Sequence, residues 1–78
     1  DSKDFRAFLL INAFESIKKA IDKNLDKIEL FDIFNLDLTI TIYKKNYKLV
    51  LEQVLKLYEE DEDYNTCMEI KNLINKLS

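Results

Sequence analysis

The sequence contains no glycine and no proline. Without glycine the chain lacks the residue that enters left-handed turns most easily, and without proline it lacks rigid breaks. Tight β-hairpins are disfavoured, because their preferred turns need positive φ values. The composition therefore predicts helices that are joined by corners containing Asn and Asp.

Histidine is also absent, and Cys67 is the single cysteine. A disulfide within the monomer is excluded, and a structural zinc site has too few ligands. Catalysis is disfavoured because no imidazole can act near neutral pH and no glycine can build a phosphate loop. Cys67 has no histidine to activate it and is interpreted as a small core residue. We therefore expect a protein that is not an enzyme and holds no cofactor or metal.

The remaining composition is typical of a folded soluble protein, with 47% hydrophobic residues, 35% charged residues and a net charge of −3. No apolar run approaches the roughly 18 residues that a membrane-spanning helix needs, and the first residues lack the pattern of a signal peptide. We therefore expect one cytoplasmic domain over residues 1–78 that does not contact membranes. The negative charge also argues against a general attraction to nucleic acid.

The small size of the chain favours self-association. A domain of 78 residues buries only about 60% of its unfolded surface, which leaves a small core. Disulfides and metals, which often stabilise such domains, are excluded by the composition. We therefore expect a homo-oligomer, most simply a dimer.

The spacing of apolar residues predicts four helices. Their expected ranges are 3–22, 25–34, 44–60 and 64–77. Asn24 is a plausible stop for the first helix, since Asn tolerates the left-handed conformation at a helix end. The fold class is therefore all-α for the most part, a bundle of three to four helices that ends in an antiparallel helical hairpin.

The apolar stripes identify the expected core. In the third helix the stripe consists of Tyr47, Val50, Leu51, Val54, Leu55 and Tyr58, and in the fourth of Tyr64, Cys67, Met68, Ile70, Ile74 and Leu77. The start of the first helix carries extra apolar residues and should be buried nearly all round or lie in an interface; these are Phe5, Phe8, Leu9 and Ile11. Phe31 and Phe34, together with Phe5 and Phe8, are interpreted as core, with an exposed anchor set as the alternative.

Residues 36–43 fit two structures. Apolar residues alternate with Asp37, Thr39, Thr41 and Tyr43, which indicates a possible short strand, while Leu36, Ile40 and Tyr43 also have helical spacing. No second segment is an obvious partner, and an unpaired strand would expose its backbone donors and acceptors. If the segment is a strand, we expect it to pair with its copy in a second subunit.

An acidic run separates the last two predicted helices and is the candidate partner-binding site. The candidate residues are Glu59, Glu60, Asp61, Glu62, Asp63 and Tyr64. Asp61 or Asp63 can cap the last helix, and the run can favour the positive end of that helix's dipole. The exposed carboxylates could also dock on a basic partner.

A calcium-binding interpretation of the same run is rejected. Asp61, Asp63 and Asn65 match the first three side-chain ligands of an EF-hand loop. The sixth position would be Thr66 where the loop needs Gly, and the twelfth Asn72 where it needs a bidentate Glu. The sequence therefore predicts a solvated corner and no calcium site.

A small basic and aromatic cluster supports an alternative function. Tyr43, Lys44, Lys45, Tyr47 and Lys48 combine positive charge with rings that could stack on bases. The lysines continue into a row of alternating charges along the third predicted helix, which favours a salt-bridged surface instead. A nucleic-acid-associated regulator is therefore the alternative interpretation.

The segment from Asp63 to Leu77 resembles a known family. Its matching residues are Asp63, Tyr64, Cys67, Ile70, Lys71 and Ile74. They are similar to the second half of the UVR motif, a helical hairpin of the UvrB and UvrC repair proteins and of adaptors of bacterial arginine kinases and Clp proteases. Asn65 and Asn72 replace charged residues of the motif, Lys71 replaces its Arg, and Met68 a small residue. The resemblance implies a protein–protein docking element and no repair chemistry.

Together these features predict a protein-binding module that acts as an adaptor or inhibitor of a larger complex. The short chain is rich in Ile, Lys and Asn and is similar to small accessory proteins of phages with AT-rich genomes, which implies a viral source. The partner is expected to be a protein whose identity the residues do not encode.

Overall fold

The computed structural model describes residues 2–31 and 37–78 of the chain. The helix α1 spans Ser2–Lys23, the strands β1 and β2 span Lys27–Leu30 and Ile40–Tyr43, and the helices α2 and α3 span Tyr47–Glu60 and Tyr64–Leu77. A single 3₁₀ turn, Lys44–Asn46, joins β2 to α2. The predictions made for Phe34 and Leu36 lie outside the described residues.

The expected mostly helical fold and its C-terminal hairpin are confirmed. The range predicted for the last helix matches α3, and the range predicted for the first differs from α1 by one residue at each end. The third predicted helix begins later than expected, because Lys44–Asn46 forms the 3₁₀ turn before α2. No helix among the described residues combines the length and the apolar character that crossing a bilayer requires.

The helix predicted over 25–34 is wrong, because the structure has the strand β1 in this range. Ile28 and Leu30 are buried, whereas Lys27 and Glu29 between them are exposed. This alternation has the period of a strand, which a helix could not use to bury both apolar side chains on one side. Phe31, which the helical interpretation placed inward, is 69% exposed.

The ambiguous segment is a strand over part of its length. β2 pairs antiparallel with β1, with Ile28 opposite Ile42 and Leu30 opposite Ile40. A strand partner therefore exists within the chain, and the expected pairing with a second subunit is wrong. The strands are not joined by a tight turn, since nine positions lie between Leu30 and Ile40, in agreement with the lack of glycine.

The end of α1 shows how the chain turns without glycine. Asn24 adopts a left-handed φ of 57°. Its N–H donates to the Ile21 carbonyl at 3.2 Å, and the N–H of Leu25 donates to the Ala20 carbonyl at 2.8 Å. These two bonds form a Schellman motif, which satisfies carbonyls at the end of a helix. The predicted stop at Asn24 is confirmed.

The core lies where the three helices meet one face of the sheet. Its fully buried large side chains are Tyr47, Ile17, Leu51, Ile70 and Val54, and Ala13, Phe14, Ala20, Ile28, Leu30 and Leu73 complete the cluster. Every helix and β1 contribute to this list, so the helices and the sheet share one core. The stripe predicted for α2 is confirmed, since each of its members is buried or packs against this cluster.

Tyr47 connects the first half of the fold with the second. Its side chain is fully buried at the start of α2, and its hydroxyl donates to the Leu25 carbonyl at 3.2 Å. Burial raises the pKa of the Tyr47 hydroxyl, and the nearby Asp26 carboxylate raises it further. The neutral hydroxyl thus holds the loop after α1 against α2.

Polar contacts on the surface join α1 to both helices of the hairpin. Arg6 donates from Nη2 to Oε1 of Gln53 at 2.8 Å, which links α1 to α2. Lys18 donates from Nζ to Oε1 of Glu69 at 3.0 Å and lies 5.2 Å from the centre of the Phe14 ring. The hydrogen bond to Glu69 is the main cause that raises the Lys18 pKa. These contacts are exposed and add little to the packing of the hairpin against α1, which the buried core provides.

Candidate protein-interaction site

The acidic corner, Glu59 to Tyr64, begins with a second Schellman motif. Glu62 takes the left-handed position with a φ of 57°, where many proteins have glycine. Its N–H donates to the Glu59 carbonyl at 3.1 Å, and the N–H of Asp63 donates to the Tyr58 carbonyl at 3.0 Å. The backbone of the corner is therefore held by internal hydrogen bonds.

Asp63 provides the cap of α3. Its Oδ1 accepts from the Thr66 N–H at 3.2 Å, and its Oδ2 accepts from the Thr66 hydroxyl at 2.7 Å. The sequence left Asp61 and Asp63 as alternatives, and the structure selects Asp63. The carboxylate also lies at the positive end of the helix dipole, where negative charge is favourable.

We expect Asp63→Ala to destabilise the protein by about 1 kcal/mol, because α3 loses its N-cap. Asp61→Ala is the matched control, since Asp61 is exposed and does not cap the helix. Its effect should stay within about 0.5 kcal/mol, as for most surface substitutions. Urea unfolding of both variants measures the difference, and equal losses of stability would contradict the assigned cap.

The other charged residues of the acidic corner face solvent. Glu59, Glu60, Asp61 and Glu62 are exposed, and Tyr64 is 66% exposed. The structure thus brings all six predicted partner-binding residues to one turn between α2 and α3. Asp63 differs from the rest because it is half-buried and hydrogen-bonded as a cap.

The inward positions predicted for Tyr64 and Met68 are wrong. Tyr64 is 66% exposed and Met68 is 61% exposed, and the two lie one helical turn apart on the outer side of α3. The buried side of α3 consists of Cys67, Ile70 and Leu73, which recur every three residues. At about 100° per residue, Tyr64 lies about 120° and Met68 about 160° around the helix from Ile70, the middle of this buried side. They add apolar surface to the acidic corner.

Tyr58 lies beneath the acidic corner. Its ring packs edge-to-face on Phe14, with the ring centres 6.1 Å apart. Burial is the main cause that raises the Tyr58 pKa, and the carboxylates of Glu15, Asp63, Asp61 and Glu69 raise it further. Two of these carboxylates, Asp61 and Asp63, belong to the acidic corner, so Tyr58 lies within reach of its negative charge.

A groove runs between α1 and α2 and opens beside the acidic corner. Ala7, Ile11, Leu57 and Tyr58 form its apolar walls, and its rim carries Glu60 and Asp61. The groove has a volume of about 280 Å³. Ala7 and Leu57 also line a smaller hollow of about 120 Å³, together with Arg6, Leu10, Gln53, Lys56 and Glu60. Ala7 and Leu57 lie outside the predicted apolar stripes, so the groove could not be predicted from the sequence.

The alternative basic cluster is only partly assembled at the surface. Tyr43 is 52% exposed, and Lys44, Lys45 and Lys48 are exposed. Tyr47 is fully buried, so its ring cannot stack on a base. The Nζ of Lys44 donates to Oδ1 of Asn24 at 3.3 Å.

Lys76 joins this basic cluster, although it is far away in the sequence. Lys44 and Lys76 line one cavity of about 300 Å³, together with Asn24, Leu25 and Tyr47. Lys76 lies in the last turn of α3, where a positive charge is favourable against the helix dipole. The cluster therefore lies at the end of the bundle opposite the acidic corner.

Phe5, Phe8 and Phe31 are not core residues as interpreted. They are 40%, 46% and 69% exposed. Ile11 is 40% exposed, so the expectation that the start of α1 is buried nearly all round is wrong, and the alternative of an interface stays a prediction. Phe34 belongs to the segment outside the described residues.

Cys67 is buried, 4% exposed, as its interpretation as a core residue predicts. Within residues 2–31 and 37–78, His, Cys, Asp and Glu side chains do not gather in groups of three that could hold a metal ion.

Comparison of the chain with protein-family models, with curated proteins and with solved structures finds no match. The resemblance of the hairpin to the UVR motif and the phage source therefore stay predictions.

Proposed function

We propose that this chain is a non-enzymatic protein-interaction module, an adaptor or inhibitor of a larger complex, whose acidic corner binds a basic protein surface. The observation that carries the proposal is the display of exposed carboxylates on a hydrogen-bonded turn between two packed helices. The partner is a protein, and the predicted phage source fits an inhibitor of a host complex.

Rigidity supports this role. Because the Schellman motif and the Asp63 cap satisfy the corner's backbone, little conformational freedom is lost when a partner binds. Affinity depends on such preorganisation as much as on buried area. Tyr64 adds an exposed aromatic ring, a residue type that is enriched among the energetically dominant residues of interfaces.

Charge supports it as well. Five carboxylates lie in consecutive positions, and the negative end of the α2 dipole and the positive end of the α3 dipole meet there and offset each other, so the negative charge of the corner comes from its side chains. Such a patch accelerates encounter with a positively charged surface and disfavours acidic partners. The net charge of the chain is only −3, but its negative charge is concentrated at this end. A basic partner is therefore attracted to the corner and not to the rest of the surface.

Affinity capture from a lysate of the native host tests the proposal. The chain is used as bait beside the corner variant Glu59→Lys/Glu62→Lys and the control Asp22→Lys/Glu52→Lys. Both variants change the net charge equally, and the control residues are exposed and lie outside the corner. We expect the chain and the control to retain the same protein and the corner variant to lose it. Equal recovery by all three baits, or no recovered protein, would contradict the proposal.

The second candidate is a nucleic-acid-associated regulator that uses Tyr43, Lys44, Lys45 and Lys48. The observation in its favour is the cavity that places Lys76 beside Lys44. Its weakness is the burial of Tyr47, which removes one of the two rings of the cluster. An electrophoretic shift assay separates the candidates, since non-specific binding is strongest at low salt. No shift at low salt would end this candidate.

The dimer expected from the sequence also stays a proposal. Surface near the sheet supports it, because Leu38, Ile40 and Tyr43 are 59%, 42% and 52% exposed. These side chains are apolar or aromatic and lie close together along the chain, at a position that a second copy could cover.

A further inference from the structure

We propose that the groove between α1 and α2 receives one large apolar side chain from a partner segment that carries Lys or Arg on one flank. This inference rests on the proposed function, because it names the chemistry of the partner that the acidic corner binds. The groove and the corner share Glu60 and Asp61, so one bound segment can contact both.

The walls of the groove define an apolar binding site. Ala7 and Ile11 of α1 face Leu57 and Tyr58 of α2 across it. Ala7 and Leu57 are half-buried, and Ile11 is 40% exposed. These side chains lose contact with water when an apolar group enters, which is the main source of binding free energy at such sites.

The size of the groove favours a side chain over a small molecule. Its volume of about 280 Å³ lies at or below the range of roughly 300–1,000 Å³ that is usual for small-molecule sites. A site of this size, open to solvent along one side, accommodates one or two side chains. Anchoring of one apolar side chain in a pocket, surrounded by polar contacts, is a common arrangement in protein interfaces.

Charge decides which segment fits and in which orientation. Glu60 and Asp61 form the rim of the groove at the corner. The smaller hollow that continues it has two positive side chains, Arg6 and Lys56, against the single carboxylate of Glu60. The Arg6–Gln53 hydrogen bond of 2.8 Å crosses from α1 to α2 there. Positive residues of a partner are therefore attracted to the corner side and repelled on the other. The basic flank should lie on one side of the apolar anchor only.

A selection of displayed random peptides against the full chain tests the inference. We expect enriched peptides to share a large apolar residue with Lys or Arg on one side. Absence of enrichment, or enriched peptides that lack either feature, would overturn the inference. The enriched peptides then serve as probes in fluorescence anisotropy with variants of the chain.

Ala7→Leu fills the groove and leaves the carboxylates in place, since leucine is also a good helix former. We expect it to weaken peptide binding by about tenfold or more, because the anchor loses its site. The control Asn72→Leu adds the same side chain at an exposed position of α3 and should leave binding unchanged. Thermal unfolding of both variants checks that the fold is kept. Equal binding by Ala7→Leu and the unchanged chain would overturn the inference.

The corner variant distinguishes this inference from the function on which it rests. If charge reversal at Glu59 and Glu62 abolishes peptide binding while Ala7→Leu has no effect, the acidic corner remains a binding site and the groove proposal fails. A second copy of the chain could also offer an apolar side chain with a basic flank, because Leu49 is 57% exposed and follows Lys48. Sedimentation of the chain over a range of concentrations tests this occupant. Self-association that Ala7→Leu removes would overturn the proposed occupant.

Discussion

Tyr47→Ala should destabilise the protein by about 3–5 kcal/mol, the usual cost of truncating a large buried aromatic side chain to alanine. Tyr47 is fully buried and contributes to the core at the junction of β2, α2 and the loop after α1. The total stability of a chain of 78 residues is of the order of 4–12 kcal/mol. The variant should therefore unfold far more readily, with a large loss of helical circular dichroism at moderate temperature.

Two further substitutions make this expectation specific. Tyr47→Phe keeps the ring and removes the donor to the Leu25 carbonyl, so we expect a loss of about 1–3 kcal/mol. Tyr64→Ala is the matched truncation at an exposed tyrosine and should change the stability by no more than about 0.5 kcal/mol. Urea unfolding of the three variants gives the comparison. Similar losses for Tyr47→Ala and Tyr64→Ala would show that Tyr47 is not a core residue.

Ile17→Ala should cost about 2–5 kcal/mol, because it leaves a cavity in the middle of the bundle. Ile17 is fully buried on α1, in the cluster that joins all three helices. The same substitution at Ile11, on the same helix, provides the control, since Ile11 is 40% exposed at the groove. We expect Ile11→Ala to cost only about 1–1.5 kcal/mol, because a large part of its side chain already contacts water.

The pair of isoleucine variants also tests how the hairpin depends on α1. If α2 and α3 pack without α1, Ile17→Ala should leave their helical signal intact while α1 detaches. The shared core predicts a single cooperative transition instead, which domains of this size usually show. Two separated transitions in urea, followed by circular dichroism and tyrosine fluorescence, would contradict the packing described here.

The C-terminal hairpin could be predicted from the sequence because its signals are local. The stripe from Tyr47 to Tyr58 repeats every three to four residues, and Asp63 stands immediately before α3 as a capping residue. Both features act within a few positions of the chain, which is the range over which periodicity and capping operate. The helix end at Asn24 followed from the same kind of local signal.

The sheet could be predicted only in part because strand pairing depends on distant residues. Residues 36–43 showed the alternation of a strand. The partner strand Lys27–Leu30 has only four residues, and its two apolar residues also fit the spacing of a helix. The contact between Ile28 and Ile42 decides between the two structures, and it exists only after the chain has folded. Local propensity is routinely overridden by such tertiary contacts.

The candidate site also has one part that could be predicted from local sequence and one that could not. The acidic residues are consecutive, so their placement at one corner followed once the two flanking helices were assigned. The groove requires Ala7 and Leu57 to come together from two helices that are far apart in the sequence, and neither residue belongs to a strong apolar pattern. The exposure of Tyr64 and Met68 was not predicted, because apolar residues lie around much of the last helix and the sequence alone does not show which of them face the core.

Affinity capture with the chain, the corner variant Glu59→Lys/Glu62→Lys and the control Asp22→Lys/Glu52→Lys decides whether the acidic corner binds a protein. The proposed function predicts that one protein with a basic surface is retained by the chain and the control. Its recovery on the corner variant should fall by about tenfold or more, because reversed charges slow association with a basic surface and repel it in the complex. Equal recovery on the corner variant and the control would contradict the claim that the acidic corner is the binding site.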